Sequence, residues 1–179
     1  MFYTAVFWDM SEDSAAERWR DDRTTFQRVY DVLVGTRSFL SANEVAERAR
    51  CSETAARNTL EQLTEMGIAT RREKRPATYR RNDSYFEWRR IESLANEHTP
   101  DDLREYVTDL VAEDEAFQER YGVPAPDAVS TSHLAVEDHE EVQEYWADVS
   151  EWRTVRRDIR ILRRAVERAE ARIDDGVRV

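Results

Sequence analysis

Hydrophobic residues recur at helical spacing along most of the chain, and polar capping residues and glycines divide this pattern into segments. The first predicted helix begins near Asp13 and either ends at Trp19 or continues through Val34, where Gly35 is suited to close it. A second helix begins at Ser41, because the sequence Ser-x-x-Glu has the spacing of a capping box. Its predicted apolar face consists of Val45, Ala46 and Ala49.

The third predicted helix follows a three-residue turn. Ser52 is a favourable N-cap, and Gly67 stands where a residue in the left-handed conformation would end the helix. Two half-exposed strands are predicted next, over 68–73 and 77–81, with Pro76 in the turn between them. The apolar stripe of the third helix consists of Ala56, Leu60 and Leu63.

The second half of the chain predicts three more helices. One covers about 84–96, the next begins at Thr99-Pro100 and ends near Gly122, and the last covers about 136–174. The stretch before the last helix, residues 123–135, has the composition of a linker.

The last helix carries an apolar seam whose residues are spaced alternately by three and four positions. This spacing is typical of a coiled coil and predicts that two copies of the chain pair along the seam. The alternative is an amphipathic helix that packs on its own domain. The residues of the predicted dimer seam are Trp152, Val155, Ile159, Leu162, Val166, Ala169 and Ile173.

The stretch SANEVAERARCSETAARNTLEQLTEMGIATRRE, residues 41–73, resembles the winged helix-turn-helix of archaeal transcriptional regulators of the ArsR/MarR/TrmB-like group. The resemblance extends over about Phe26 to Arg81. Within this group, the chain is most similar to a haloarchaeal set of proteins with an acidic helical C-terminal region. The resemblance implies a fold that reads the major groove of DNA. The chain has neither the Cys-x-Cys metal pair of ArsR proteins nor an evident sugar-binding domain.

These elements predict a mainly α fold, in which a winged helix-turn-helix precedes a helical region that ends in a long coiled-coil-like helix. Residues 1–9 are either an upstream extension from a mis-set start codon or an added strand. The predicted parts are an N-terminal extension (1–22), the winged helix-turn-helix (23–83), a helical connector (84–122), a linker (123–135) and a dimerisation helix (136–179).

Charge is distributed unevenly along the chain. The net charge is −11, and Lys74 is the only lysine. Residues 23–90 nevertheless carry +5, with 14 basic and 9 acidic side chains, so the positive charge lies on the predicted DNA-reading segment. An acidic surface that is poor in lysine and keeps arginine resembles that of proteins from salt-loving archaea, although an ordinary acidic protein is the alternative.

The third helix is expected to present its solvent face to base edges. Arg57 has the geometry to bridge guanine O6 and N7, and Asn58 to pair with adenine N6 and N7. The alternative is that both side chains are merely solvated. The predicted base-reading residues are Thr54, Ala55, Arg57, Asn58 and Glu61.

The predicted hairpin carries six positive charges against one acid, Glu73. Such charges repel one another unless an anion is near, which indicates contacts with phosphates or a narrow minor groove. The hydroxyl of Ser52, at a helix N-terminus, also suits a phosphate. The predicted phosphate or minor-groove residues are Ser52, Arg71, Arg72, Lys74, Arg75, Arg80 and Arg81.

Other chemistry has little support in the sequence. Cys51 is a small core residue or, less favoured, a redox switch within the turn. His133 and His139 are expected to be surface residues, because H-x5-H does not bring both rings to one helical turn. Phosphate-binding loops and nucleophile–base pairs are absent, so we expect no enzyme, no metal and no cofactor. Three tryptophans are expected in the core or seam, with an effector pocket as the alternative: Trp88, Trp146 and Trp152.

The sequence therefore predicts a cytoplasmic, homodimeric regulator that binds double-stranded DNA, with repression expected rather than activation and the effector left open. No stretch approaches the roughly 18 apolar residues of a membrane span, so no membrane partner is expected. The alternative function is a winged-helix adaptor that binds an acidic protein in a transcription or chromosome-organising complex.

Overall fold

The computed structural model describes residues 22–129 and 139–177, and in the second range it describes the side chains of 142–174. Within these ranges the fold is mainly helical, as predicted. Residues 1–21, which include the predicted helix start near Asp13, lie outside the described residues. The elements are α1 (Thr25–Val34), β1 (Leu40–Ser41), α2 (Ala42–Ala49), α3 (Glu53–Glu65), β2 (Ala69–Arg72), β3 (Thr78–Arg81), α4 (Asp83–Glu97), α5 (Pro100–Tyr121), a 3-10 turn (Pro126–Ala128) and α6 (His139–Val177).

Side-chain caps fix where the helices begin. The predicted capping box of α2 is confirmed: the Ser41 hydroxyl accepts from the amide of Glu44, whose carboxylate accepts from the amide of Ser41 at 2.7 Å. Ser52 caps α3 in the predicted way. The sequence did not predict the end of α2, where Arg50 adopts a left-handed conformation with φ 49°.

The three strands form an antiparallel sheet in the order β1-β3-β2. The two strands of the hairpin were predicted to within about a residue or two at each end, but β1 was not, because two residues give no periodicity to detect. Gly67, between α3 and β2, has the predicted positive φ of 73°. The peptide bond between Arg75 and Pro76 is cis.

Residues that lie opposite one another in the sheet share a face. Arg71 is opposite Tyr79, and Ala69 is opposite Arg81. These four residues form one face of the sheet, called the helix-side face, on which Tyr79 is buried. The other face, called the outer face below, carries Thr70, Arg72, Thr78 and Arg80.

The chain divides into two compact units between Phe86 and Glu87. The core of the first unit joins α1, α2, α3 and the helix-side face of the sheet. Arg28 is nearly buried in it, where its Nε donates to the carbonyl of Ala49 at 2.9 Å and thereby ties α1 to the end of α2. The predicted apolar stripe of α3 is fully buried, and the largest buried side chains of this core are Val29, Leu33, Val45, Leu60, Leu63 and Tyr79.

The second unit is helical, and α5 packs along α6 in the antiparallel direction. Arg104 near the start of α5 pairs with Glu170 near the end of α6, whereas Tyr121 at the end of α5 donates to Asp148 at 2.7 Å. Polar pairs also join α4 to α6, since Arg168 Nε lies 2.6 Å from Glu92.

The prediction that the α6 seam pairs with a second copy is wrong for most of its length, because the chain's own helices cover it. Trp152 is fully buried and stacks on Phe117 and Tyr121 of α5, with ring centroids 5.7 Å and 6.1 Å away. Farther along, the seam joins a core with α4 and α5. Buried seam residues are Trp152, Val155, Ile159, Leu162 and Ala169, Val166 is half-buried, and Ile173 is 54% exposed.

The spacing of the seam residues could not show whether a helix of the same chain or of a second copy covers them. Alternating three- and four-residue spacing is also the packing geometry of neighbouring helices within a bundle, so it does not identify which helix covers a seam. The matching stripe was visible on α5, from Leu103 to Tyr121. The alternative interpretation, an amphipathic helix that packs on its own domain, is therefore the one that fits these residues.

The predicted linker is structured in part. Residues 126–128 form the 3-10 turn, and Arg153 of α6 donates to Asp127 at 2.8 Å and 3.1 Å. Residues 130–138, which contain the predicted start of the last helix at 136, lie outside the described residues. Among the helices that the structure describes, none is long and apolar enough to cross a membrane.

Candidate nucleic-acid interface

One face of α3 is available to a partner. Thr54, Arg57, Asn58 and Glu61 are exposed and Ala55 is half-buried, while the opposite stripe of the same helix is buried in the core. Four of the five predicted base-reading residues therefore share the outward side of one helix, as the 3.6-residue period requires, and Ala55 lies at the border of that side.

Arg57 lies between two carboxylates on this face. Its guanidinium pairs with Glu53 one turn earlier, and Glu61 follows one turn later. Both partners of the Arg57–Glu53 pair are about half exposed, so the pair stabilises the helix weakly and opens at little cost.

A cleft of about 360 Å³ separates α3 from the hairpin. Two carboxylates and two guanidiniums line it, those of Glu53, Glu61, Arg57 and Arg71. The charges balance, so the cleft suits groups that present both donors and acceptors, such as base edges or a polypeptide, better than a bare phosphate. The other lining residues are Ser41, Ala42, Asn43, Pro76, Ala77 and Tyr79.

The hairpin arginines do not form one basic surface, as the sequence had suggested. Arg71 borders the cleft, and its Nε lies 3.4 Å from Glu73. Lys74 and Arg75 are exposed at the tip. Arg72 and Arg80 lie on the outer face instead, so the predicted set is divided between two sides of the sheet.

Arg81 is a correction to the predicted phosphate residues, because it binds its own unit. Its Nη1 donates to the carbonyl of Val34 at 3.2 Å, its Nε lies 2.9 Å from Asp83, and its guanidinium stacks over Phe86 at 4.7 Å. These contacts tie β3 to α1 and to the start of α4. A side chain that is 22% exposed and held at three points has a structural role.

Phe39 is a site residue that the sequence reasoning missed. Its ring lies beneath two guanidiniums, those of Arg72 at 3.8 Å and Arg80 at 5.0 Å from the ring centroid. The residue precedes β1, and without a predicted strand there was no register to bring it beside the hairpin. The signal available in the sequence was an aromatic residue two positions before the capping box that begins at Ser41.

Ser52 already has a local role. Its hydroxyl oxygen accepts from the amide of Ala55 at 3.2 Å as the cap of α3. The exposed hydroxyl still has a proton to donate, so the predicted phosphate contact and the cap are compatible.

The remaining candidates carry structural roles or fall outside the described side chains. Burial raises the pKa of the Cys51 thiol, with Arg28 opposing it, which disfavours the reactive thiolate that a redox switch needs. Trp152 is a core residue, whereas Trp88 and Trp146 are more than half exposed. His133 and the side chain of His139 are not among the described ones, and the described residues contain no cluster of three potential metal ligands.

Comparison with known proteins gives a family and no activity. Residues 23–170 match a family described as a family of unknown function (DUF7342). This match covers most of the chain, so the chain belongs to that family. No curated protein and no solved structure matches it.

Proposed function

We propose that this member of a family of unknown function is a transcriptional regulator that binds double-stranded DNA sequence-specifically through a winged helix-turn-helix. The observation that carries the proposal is the pair Arg57 and Asn58, exposed side by side on the outward face of α3. These two side-chain types make bidentate contacts with purines in the major groove.

The arrangement of the first unit supports this proposal. Three helices followed by a hairpin, with a short strand between the first two helices, is the element order of a winged helix, and α3 then corresponds to the recognition helix. The sheet order β1-β3-β2 also supports it, because β1, which directly precedes α2, pairs with β3 of the hairpin, as expected for a wing. The excess of positive charge over residues 23–90 is what a duplex-binding surface requires.

The chemistry of each outward side chain indicates what α3 reads. Arg57 recognises guanine through O6 and N7, Asn58 recognises adenine, and Glu61 accepts from the amino group of cytosine. On binding, the exposed Arg57–Glu53 pair opens, which costs at most about 1 kcal/mol. Each bidentate contact gives about 1–3 kcal/mol of discrimination in return.

Selection of duplexes from a random library, at a KCl concentration where the protein is folded, tests this function. We expect the wild type to enrich one motif and the double variant Arg57→Ala, Asn58→Ala to enrich none. The matched control replaces an arginine and an amide on α6, both exposed, as Arg160→Ala with Gln143→Ala. The control should select the wild-type motif, and duplex binding by the wild type without sequence preference would contradict the proposal.

We also propose that the regulator acts as a homodimer on palindromic sites, with half-sites about one helical turn, roughly 34 Å, apart. The buried stretch Trp152–Ala169 is not its interface, because those side chains pack in the chain's own core. Light scattering on the full chain with a selected duplex should give the mass of two chains per duplex. One chain per duplex would contradict the dimer while leaving the DNA contacts intact.

A second candidate function is an adaptor that binds another protein. It is favoured by the charge-balanced cleft, since Glu53 and Glu61 disfavour phosphates at the site where a duplex would be closest. An adaptor would bind no duplex, or would bind DNA without sequence preference. The selection experiment therefore distinguishes the two functions.

A further inference from the structure

The outer face of the sheet carries a basic cluster that the cleft does not share, called the Phe39 cluster below. It consists of the Phe39 ring and the guanidiniums of Arg72 and Arg80, which lie 3.8 Å and 5.0 Å from the ring centroid. From the geometry of these three side chains we infer a phosphate-binding site, separate from the base-reading face of α3. That its occupant is the DNA backbone rests on the proposed function, whereas the anion site itself does not.

The contact with the Phe39 ring prepares the two guanidiniums for an anion. The cation–π contact holds each guanidinium over the ring without an oxygen acceptor, so its N–H groups remain available for hydrogen bonds with an anion. The ring also restricts the rotamers of two long side chains, so less conformational entropy is lost when an anion is bound. Phosphate oxygens match this donor pattern, because they accept parallel N–H hydrogen bonds.

Few groups of the described residues compensate the two guanidiniums. Arg80 Nε is buried and has no hydrogen-bond partner among the described residues, and the only carboxylate near Arg80 in that part of the chain is Asp83, 3.7 Å from Nη2. Within the described residues, no acidic side chain pairs with Arg72. Two like charges over one ring therefore have little compensation, and a bound anion supplies it.

Hydroxyl groups complete the site. Thr70 is opposite Arg80 in the sheet and Thr78 is opposite Arg72, so both threonines share the outer face with the arginines. Hydroxyls are frequent partners of phosphate oxygens in protein–DNA interfaces. The site contrasts with the cleft, where Glu53 and Glu61 repel a phosphate. We infer that base edges and backbone are bound on different sides of the hairpin.

Titration with inorganic tripolyphosphate tests the anion site without DNA. Binding is measured by calorimetry and by the arginine Nε–H signals in NMR spectra, at the lowest KCl concentration that keeps the protein folded. We expect saturable binding that shifts the Arg72 and Arg80 signals. Arg72→Gln should weaken it by about tenfold, and Phe39→Leu by a smaller factor because the guanidiniums lose their support. The control is Arg48→Gln at an exposed position of α2, which should bind as the wild type does.

Duplex binding provides the second readout. With a selected duplex, Arg72→Gln should reduce the slope of log affinity against log salt by about one and leave the selected motif unchanged. If Arg72→Gln changes neither the affinity for tripolyphosphate nor the salt slope, the proposed anion site is wrong, while the proposed regulator is not contradicted. Tripolyphosphate binding at the Phe39 cluster without any duplex binding would overturn the regulator, and the anion site would stand.

Discussion

Asp114 on α5 joins two helices through one carboxylate. Trp152 Nε1 donates to it at 2.5 Å, Arg156 Nε at 2.6 Å, and Gln118 Nε2 at 2.7 Å. With its side chain 15% exposed, the carboxylate has few water molecules to replace these partners.

Replacement of this carboxylate should destabilise the second unit. Asp114→Ala leaves a buried indole N–H and a guanidinium without their acceptor, so we expect a loss of about 2–3 kcal/mol in the free energy of unfolding. Urea denaturation followed by tryptophan fluorescence measures it. Asp109→Ala, at an exposed position of the same helix, is the control and should change the free energy by less than about 0.5 kcal/mol.

The same carboxylate should make stability depend on acid pH. Burial raises the pKa of Asp114, but hydrogen bonds from Arg156, Trp152 and Gln118 outweigh it and hold the pKa below its ordinary value of 3.8. A depressed folded pKa stabilises the fold above the unfolded pKa, and this contribution is lost as pH falls through the folded pKa. The unfolding free energy of the wild type should therefore fall as the pH drops below about 4.

The test is urea denaturation of the wild type and Asp114→Asn over a series of acidic pH values at constant KCl. The variant should lose less free energy over the range, since it has no proton to bind at this position. The unfolding free energy of the variant should still fall somewhat with decreasing pH, because hydrogen bonds with Ser41 and Thr99 also lower the pKa of Glu44 and Asp102. Parallel curves for the two proteins would contradict the assignment.

Among single residues, those whose role depends only on helical period could be predicted. The outward position of Arg57 and the burial of Leu60 follow from 3.6 residues per turn. Arg81 could not be separated from its neighbours, because its partners Val34 and Phe86 become close only when the sheet and helices are assembled. Composition treats every hairpin arginine alike, whereas register divides them between two faces.

At the scale of elements, helix boundaries followed from local chemistry. The caps at Ser41, Ser52 and Thr99 are hydrogen bonds between residues at most three positions apart, so the sequence alone specifies them. The partner of α6 was not specified in this way. An apolar seam indicates that another helix covers it. Which helix does so is determined only by tertiary packing.

The packing of α6 gives a prediction at this scale. Trp152→Ala removes a fully buried ring that stacks on Phe117 and Tyr121, and should lower the free energy of unfolding by about 3–5 kcal/mol. Chemical denaturation measures it, with Trp146→Ala, 52% exposed, as the control of small effect. A Trp152→Ala protein of unchanged stability and altered self-association would instead support a seam between copies.

At the scale of the whole molecule, charge separates the parts of the chain. Residues 91–179 carry −12, against +5 over residues 23–90. The acidic part repels a duplex, and the proposed contacts are accordingly confined to the first unit. In molar salt the Debye length is roughly 3 Å, so the proposed binding would depend on direct contacts such as bidentate arginine and little on steering at a distance.

The central claim is that Arg57 on α3 reads a guanine in a duplex. The most direct measurement replaces the guanines of the selected site, one at a time, by 7-deazaguanine, which lacks the N7 acceptor, and compares affinities of the wild type and Arg57→Ala. We expect one replacement that weakens the wild type by about 1 kcal/mol or more and leaves Arg57→Ala unaffected. Equal losses in both proteins at every guanine, or no loss in the wild type, would contradict the claim.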